Sequence, residues 1–144
     1  SGAAYFWGSF TSIVLNNILV FIVSFVLSFV YGAGAVIFLV WNASVWGVVF
    51  SYFVRSATAS SGEDTMVALA REVVPFLPHM VSEGAAYIGA ALVGGIVSKA
   101  VLREKLFSKN FNYIIKDALI FLMLGIVLII IAGFIEIIYA GQVF

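Results

Sequence analysis

The chain has 144 residues, 64% hydrophobic and 10% charged, with zero net charge and no cysteine. A soluble domain carries about 25% charged residues, so this composition, with a mean hydropathy of +1.19, is that of a membrane protein with no separate soluble domain. Zero net charge gives no long-range attraction to nucleic acid, and the missing thiols exclude disulfides, thiolate metal sites and cysteine nucleophiles.

Residues 1–8 (SGAAYFWG) lack the charged start of a signal peptide. Four apolar runs follow, each long enough for a bilayer that needs about 20 helical residues. The first covers about 9–30 and the second about 34–54, with YGAG between them, a break short enough to predict an antiparallel hairpin. A polar stretch, Arg55 to Glu72, comes next, in which Asp64 or Thr65 is placed to cap a short amphipathic helix. The third run covers about 76–101 and the fourth about 118–140, separated by the basic and aromatic REKLFSKNFNYIIKD. The apolar runs are too long and too continuous for alternating barrel strands, and in lipid only helices or closed barrels satisfy the backbone. The fold class predicted is all-α, a single transmembrane bundle of four spans over residues 1–144.

Lys99, Arg103, Lys105, Lys109 and Lys116 stand against Glu104 and Asp117 around the third connection, whereas two arginines face three acids in 55–72. The positive-inside rule then puts 99–117 in the cytoplasm and both ends of the chain outside. A further span before Ser1 would reconcile that arrangement with the absence of a signal peptide.

The polar residues inside the spans fall at one depth. Asn16 and Asn17, Asn42, His79 with Glu83, and Glu136 all lie in the half of the bilayer nearest the 55–72 connection. An intramembrane charge costs roughly 2.5–3.5 kcal/mol on insertion scales, so Glu83 and Glu136 are expected inside the bundle with partners. His79 and Glu83 are four apart and share a helix face. Asn17, Asn42, His79, Glu83 and Glu136 are therefore predicted to form one polar intramembrane cluster.

Small residues mark the packing faces. Ala86, Ala90, Gly94 and Ser98 form a ladder in the third span, and Ala118, Gly125, Ala132, Glu136 and Ala140 line one side of the fourth. Such ladders let membrane helices approach closely, and the third and fourth spans are expected to meet through them, or to meet a neighbouring subunit. No phosphate loop, His-Glu-x-x-His or Gly-x-Ser-x-Gly is present. One histidine is too few for a metal site. Ser82 beside His79 and Glu83 holds the atoms of a hydrolase, but adjacent helix positions point different ways. No cofactor, no metal and no catalytic residue is predicted.

Asn16-Asn17 in the first span, Asn42 with Gly47 in the second, LPHMVSEGAAYIGAALVGG (from Leu77) and Ala132-Gly133-Phe134-Ile135-Glu136 resemble the stage II sporulation protein M family. The similarity covers nearly the whole chain; Met80 stands where the family pattern has glycine after Pro-His. The resemblance implies a multi-pass protein of the cell membrane, a non-enzymatic scaffold or membrane-remodelling subunit that holds partner proteins. In spore formers such members sit in a complex with peptidoglycan hydrolases. The expected partners are lipid and other membrane proteins or further copies of the chain. The alternative is a transporter or permease-like subunit with its polar site around Glu83. A cavity reaching Glu83 would favour that alternative; a dry cluster would favour the scaffold.

Overall fold

The computed structural model describes the backbone of residues 2–32 and 34–143 and the side chains of 7–32 and 35–138. Ala33 in the 31–34 break and the side chain of Ala140 lie outside the described residues. Helix α1 spans Gly2–Tyr31, α2 Gly34–Ser61, α3 Thr65–Val73, α4 Leu77–Arg103 and α5 Lys109–Val143, with a short 3-10 turn, Val74–Phe76, leading into α4. No strand occurs among the described residues, and four helical segments are long and apolar enough to cross a membrane. The protein is an all-α multi-pass membrane bundle.

The connections explain the boundaries. Gly32 adopts φ +61° and its N–H bonds to the Ser28 carbonyl at 2.9 Å, a left-handed cap that closes α1 and turns the chain into α2. Gly62, φ +66°, ends α2 in the same way on the Thr58 carbonyl at 3.0 Å. The second helix therefore runs seven residues past the expected Val54. In its SATASS tail the Thr58 and Ser61 hydroxyls return to the Arg55 and Ala57 carbonyls, which satisfies them within the helix. Asp64 caps α3, accepting from the Met66 N–H at 2.8 Å, and Arg71 pairs with Glu63 at 2.7 Å across the turn. Pro75 and Pro78 occupy first-turn positions of the 3-10 turn and of α4, where a missing N–H costs nothing. The basic connection shrinks to five residues, 104–108, because α5 begins at Lys109.

Helices α1, α4 and α5 form the core. Val20 and Phe21 of α1, Ala86, Tyr87 and Ala90 of α4 and Ile129 of α5 are buried together. Close approach is enforced by glycine. A Cβ on Gly94 would lie 2.4 Å from the Phe25 carbonyl oxygen, and one on Gly125 would lie 2.5 Å from the Phe21 ring. The small stripes divide between two neighbours: α4 and α5 pack along each other, while Gly94 and Gly125 face α1. Ala86, Ala90 and Ala132 are almost wholly buried in the same core, and Ser98 is half-buried.

Helix α2 stands apart. It leans on α1 and α3 and touches α4 sparsely. At its far end Trp46, Phe50 and Phe76 stack with centroids 5.4–6.4 Å apart. Elsewhere its apolar side chains, Ile37, Trp41 and Val48 among them, are mostly exposed, as suits lipid.

Candidate functional site

The site is built around His79, in the first turn of α4 next to Pro78. Its ring is turned inward, and the residue is 1% exposed. His79 Nδ1 lies 3.0 Å from the Ala132 carbonyl oxygen of α5. A carbonyl only accepts, so Nδ1 carries a proton. Nε2 then faces two carboxylates, Glu83 Oε2 at 3.1 Å and Glu136 Oε2 at 3.5 Å, the nearer one off the axis of a straight hydrogen bond. Lone pairs cannot all face one another. At least one further proton must sit on Nε2 or on a carboxyl oxygen, and the three side chains share it.

Two aromatic groups complete the centre. The Tyr87 hydroxyl donates to Glu83 Oε1, which leaves both Glu83 oxygens occupied in a side chain that is 5% exposed. The Trp46 ring stands edge-on to the His79 ring with centroids 5.4 Å apart. Buried polar groups survive in lipid only when paired. Here the phenol and the imidazole Nδ1 are hydrogen-bonded, while Nε2 stands within ion-pair distance of both carboxyls without a straight hydrogen bond.

Asn17 and Asn42 stand across a cavity from it. A chamber of about 360 Å³ opens between α1, α2 and α5, lined by Ser12, Asn16, Asn17, Asn42, Glu83 and Glu136 among others. Asn16 Nδ2 donates to Asn17 Oδ1 at 3.3 Å. Neither Asn17 nor Asn42 bonds a carboxylate directly: Asn17, Asn42, Glu83 and Glu136 line one space, His79 meets only the two carboxyls, and the five do not form one hydrogen-bond network.

Tyr87, Trp46 and the Ala132 carbonyl are additions to the sequence reading. Tyr87 was accessible to the same i,i+4 rule that paired His79 with Glu83. Trp46 and Ala132 reach the site only through tertiary packing. The hydrolase arrangement does not form: Ser82 donates back to the Pro78 carbonyl at 2.8 Å, away from His79. No group of three or more His, Cys, Asp or Glu among the described residues is arranged to hold a metal ion.

A family model described as stage II sporulation protein M matches residues 3–139. The chain belongs to that family. The match takes in the whole Pro78–Glu83 segment and the Ala132–Glu136 segment, so both halves of the buried centre lie on family-matched sequence. No curated protein and no solved structure matches the chain.

Proposed function

We propose that this family member is a non-enzymatic scaffold of the cell membrane that holds a partner membrane protein against the outward face of α2. The observation that carries the reading is a contrast between glycines. Gly94, Gly125 and Gly133 each press against another helix of the bundle, whereas a Cβ on Gly47, like one on Gly84 or Gly89, would meet nothing within 4 Å. Gly47 alone of these last three lies on α2, whose apolar side chains are mostly exposed. Gly47 lies in an open groove on α2 with Ser44, Ser51, Arg55 and Ser56. The Ser44 and Ser51 hydroxyls return to their own helix carbonyls at 2.8 and 2.7 Å, which leaves a shallow surface suited to close helix contact. Arg55 is exposed and pairs with no acid among the described residues.

A photoreactive residue at Ser51 should give one discrete protein adduct in native membranes, lost in Gly47→Leu. The same probe at Val127, on the lipid face of α5, should label lipid alone. Lipid adducts alone at both positions would refute the docking face.

The second reading, a permease-like subunit, is favoured by the chamber that reaches Glu83 and Glu136. Its test is solute flux: Glu83→Gln would abolish uptake by reconstituted vesicles while leaving the Ser51 adduct intact.

Orientation follows from charge: the 99–117 region is proposed to face the cytoplasm. Ser108 is a poor labelling site because its Oγ accepts from the Phe111 N–H, whereas Leu106 is exposed. With no other cysteine in the chain, Leu106→Cys should resist an impermeant thiol reagent in intact cells and react after permeabilisation. Rapid labelling of intact cells would reverse the topology.

A further inference from the structure

A second chamber adjoins the first. It has a volume of about 330 Å³, lies between α2 and α4, and is walled by Val36, Leu39, Val40, Met80, Gly84 and Ile88 among others. Asn42, Trp46 and Glu83 line both chambers, so the two meet at those three side chains. One chamber is apolar and the other is rich in amide and carboxyl groups.

Their placement along the membrane is ordered. The apolar chamber takes its α2 wall from Val36 onward, toward the 31–34 turn, while the polar chamber takes Val45 and, from α1, Ser12. Val36 and Val45 are roughly 13 Å apart along a helix axis. The polar chamber therefore lies nearer the membrane surface on the 55–72 side, and the apolar one runs from it toward the bilayer interior. Val36, Val40 and Ile88 are more than half exposed, so the apolar chamber opens sideways on the lipid-facing surface. A membrane amphiphile lies with head and chain in this same order.

The polar wall specifies the head. Asn17 is 4% exposed and its Nδ2 has no hydrogen-bond partner. A buried unmade donor costs about 1–3 kcal/mol, and a ligand acceptor met by rotation of the Asn17 amide toward the chamber removes that cost. Asn42 has neither its amide donor nor its acceptor engaged by any side-chain hydrogen bond among the described residues, and Glu136 supplies an acceptor on the opposite wall. The complementary head both donates and accepts. A hydroxyl does; an ammonium cannot accept from Asn17, and an anion is opposed by two glutamates.

We propose that the joined chambers bind a single-chain amphiphile with an uncharged, hydroxyl-bearing head, its head among Asn17, Asn42 and Glu136 and its chain between α2 and α4. This is a site on the bundle's own interior. It does not depend on whether a protein docks on the outer face of α2.

Trp46, which lines both chambers, is the reporter. Replacing the exposed Trp7 and Trp41 by Phe leaves it the one remaining tryptophan. In nonionic detergent, a monoacylglycerol brominated along its chain should quench Trp46 saturably. It should bind at least about fivefold more tightly than a brominated alkane or alkylamine of equal length, the fold-change that one hydrogen bond supplies. Gly84→Leu, at a position where a Cβ meets nothing within 4 Å, should fill the apolar chamber and abolish saturable quenching without loss of fold. Asn17→Leu should weaken the monoacylglycerol alone and leave the alkane unchanged. Non-saturating quenching, equal quenching by all three probes, or full quenching in Gly84→Leu overturns the proposal.

Discussion

Gly94→Ala should destabilise the bundle, and Gly89→Ala on the same helix should not. The two substitutions are chemically identical and five residues apart on α4. At Gly94 the added carbon would lie 2.4 Å from the Phe25 carbonyl oxygen and 3.1 Å from the Phe29 nitrogen, both backbone atoms of α1. Backbone cannot rotate away as a side chain does, so α1 and α4 must separate. Overpacking of a tight core costs typically 1–3 kcal/mol, and a backbone clash belongs at the upper end; Gly94→Leu should exceed it. At Gly89 a Cβ meets nothing within 4 Å, and replacing glycine by alanine inside a helix is worth about 0.5–1 kcal/mol in favour of the variant. Thermal melting in detergent should therefore move the two variants in opposite directions. Equal shifts would mean that α1 and α4 do not touch at Gly94.

That contrast shows what the sequence makes legible and what it does not. Four apolar runs dictate four helices because lipid leaves the backbone no other choice. The Asp64 cap was readable because capping is local: one side chain, one N–H, two residues apart. The length of α2 was not. Ser, Ala and Thr after Arg55 look like a loop by polarity, yet their hydroxyls are satisfied on their own helix carbonyls and the helix continues to its Gly62 cap. The ladder Ala86, Ala90, Gly94 announces a close neighbour, but a stripe of small residues carries no label for which neighbour. The structure sets Gly94 against α1, while α4 and α5 pack along each other as well. Ile129 shows the same limit: an isoleucine in an Ile-rich helix suits lipid or core alike, and the structure buries it fully.

The polar centre was readable as a depth rather than as a network. Counting residues along each span brings Asn17, Asn42, His79, Glu83 and Glu136 to one level, and antiparallel helices preserve that level whatever their arrangement. Depth fixes one coordinate only. Rotation about each helix axis decides whether side chains touch, and it separates His79, which contacts both glutamates, from Asn17 and Asn42, which face the chamber. The backbone oxygen of Ala132 has no sequence signature at all.

Glu83→Leu should cost the protein stability that Glu83→Gln retains. Glu83 Oε1 accepts from the Tyr87 hydroxyl and Oε2 lies 3.1 Å from His79 Nε2, all three residues being at most 5% exposed. Because Nδ1 donates to the Ala132 carbonyl, a neutral ring presents a bare Nε2. A glutamine amide matches both neighbours: its oxygen accepts from Tyr87 and its NH₂ donates to Nε2. Leucine matches neither. It leaves a buried phenol without a partner, a loss worth about 1–3 kcal/mol, and leaves His79 Nε2 facing Glu136 alone at 3.5 Å. The phenol's share can be isolated, since replacing both members of a hydrogen bond by apolar groups is nearly neutral while removing one is not. Adding Tyr87→Phe to Glu83→Leu should therefore recover about 1 kcal/mol or more, although Tyr87→Phe alone destabilises the parent. A four-variant cycle of unfolding midpoints in detergent measures this coupling. If Tyr87→Phe adds its loss to Glu83→Leu instead of relieving it, Tyr87 and Glu83 are not partners in the folded protein.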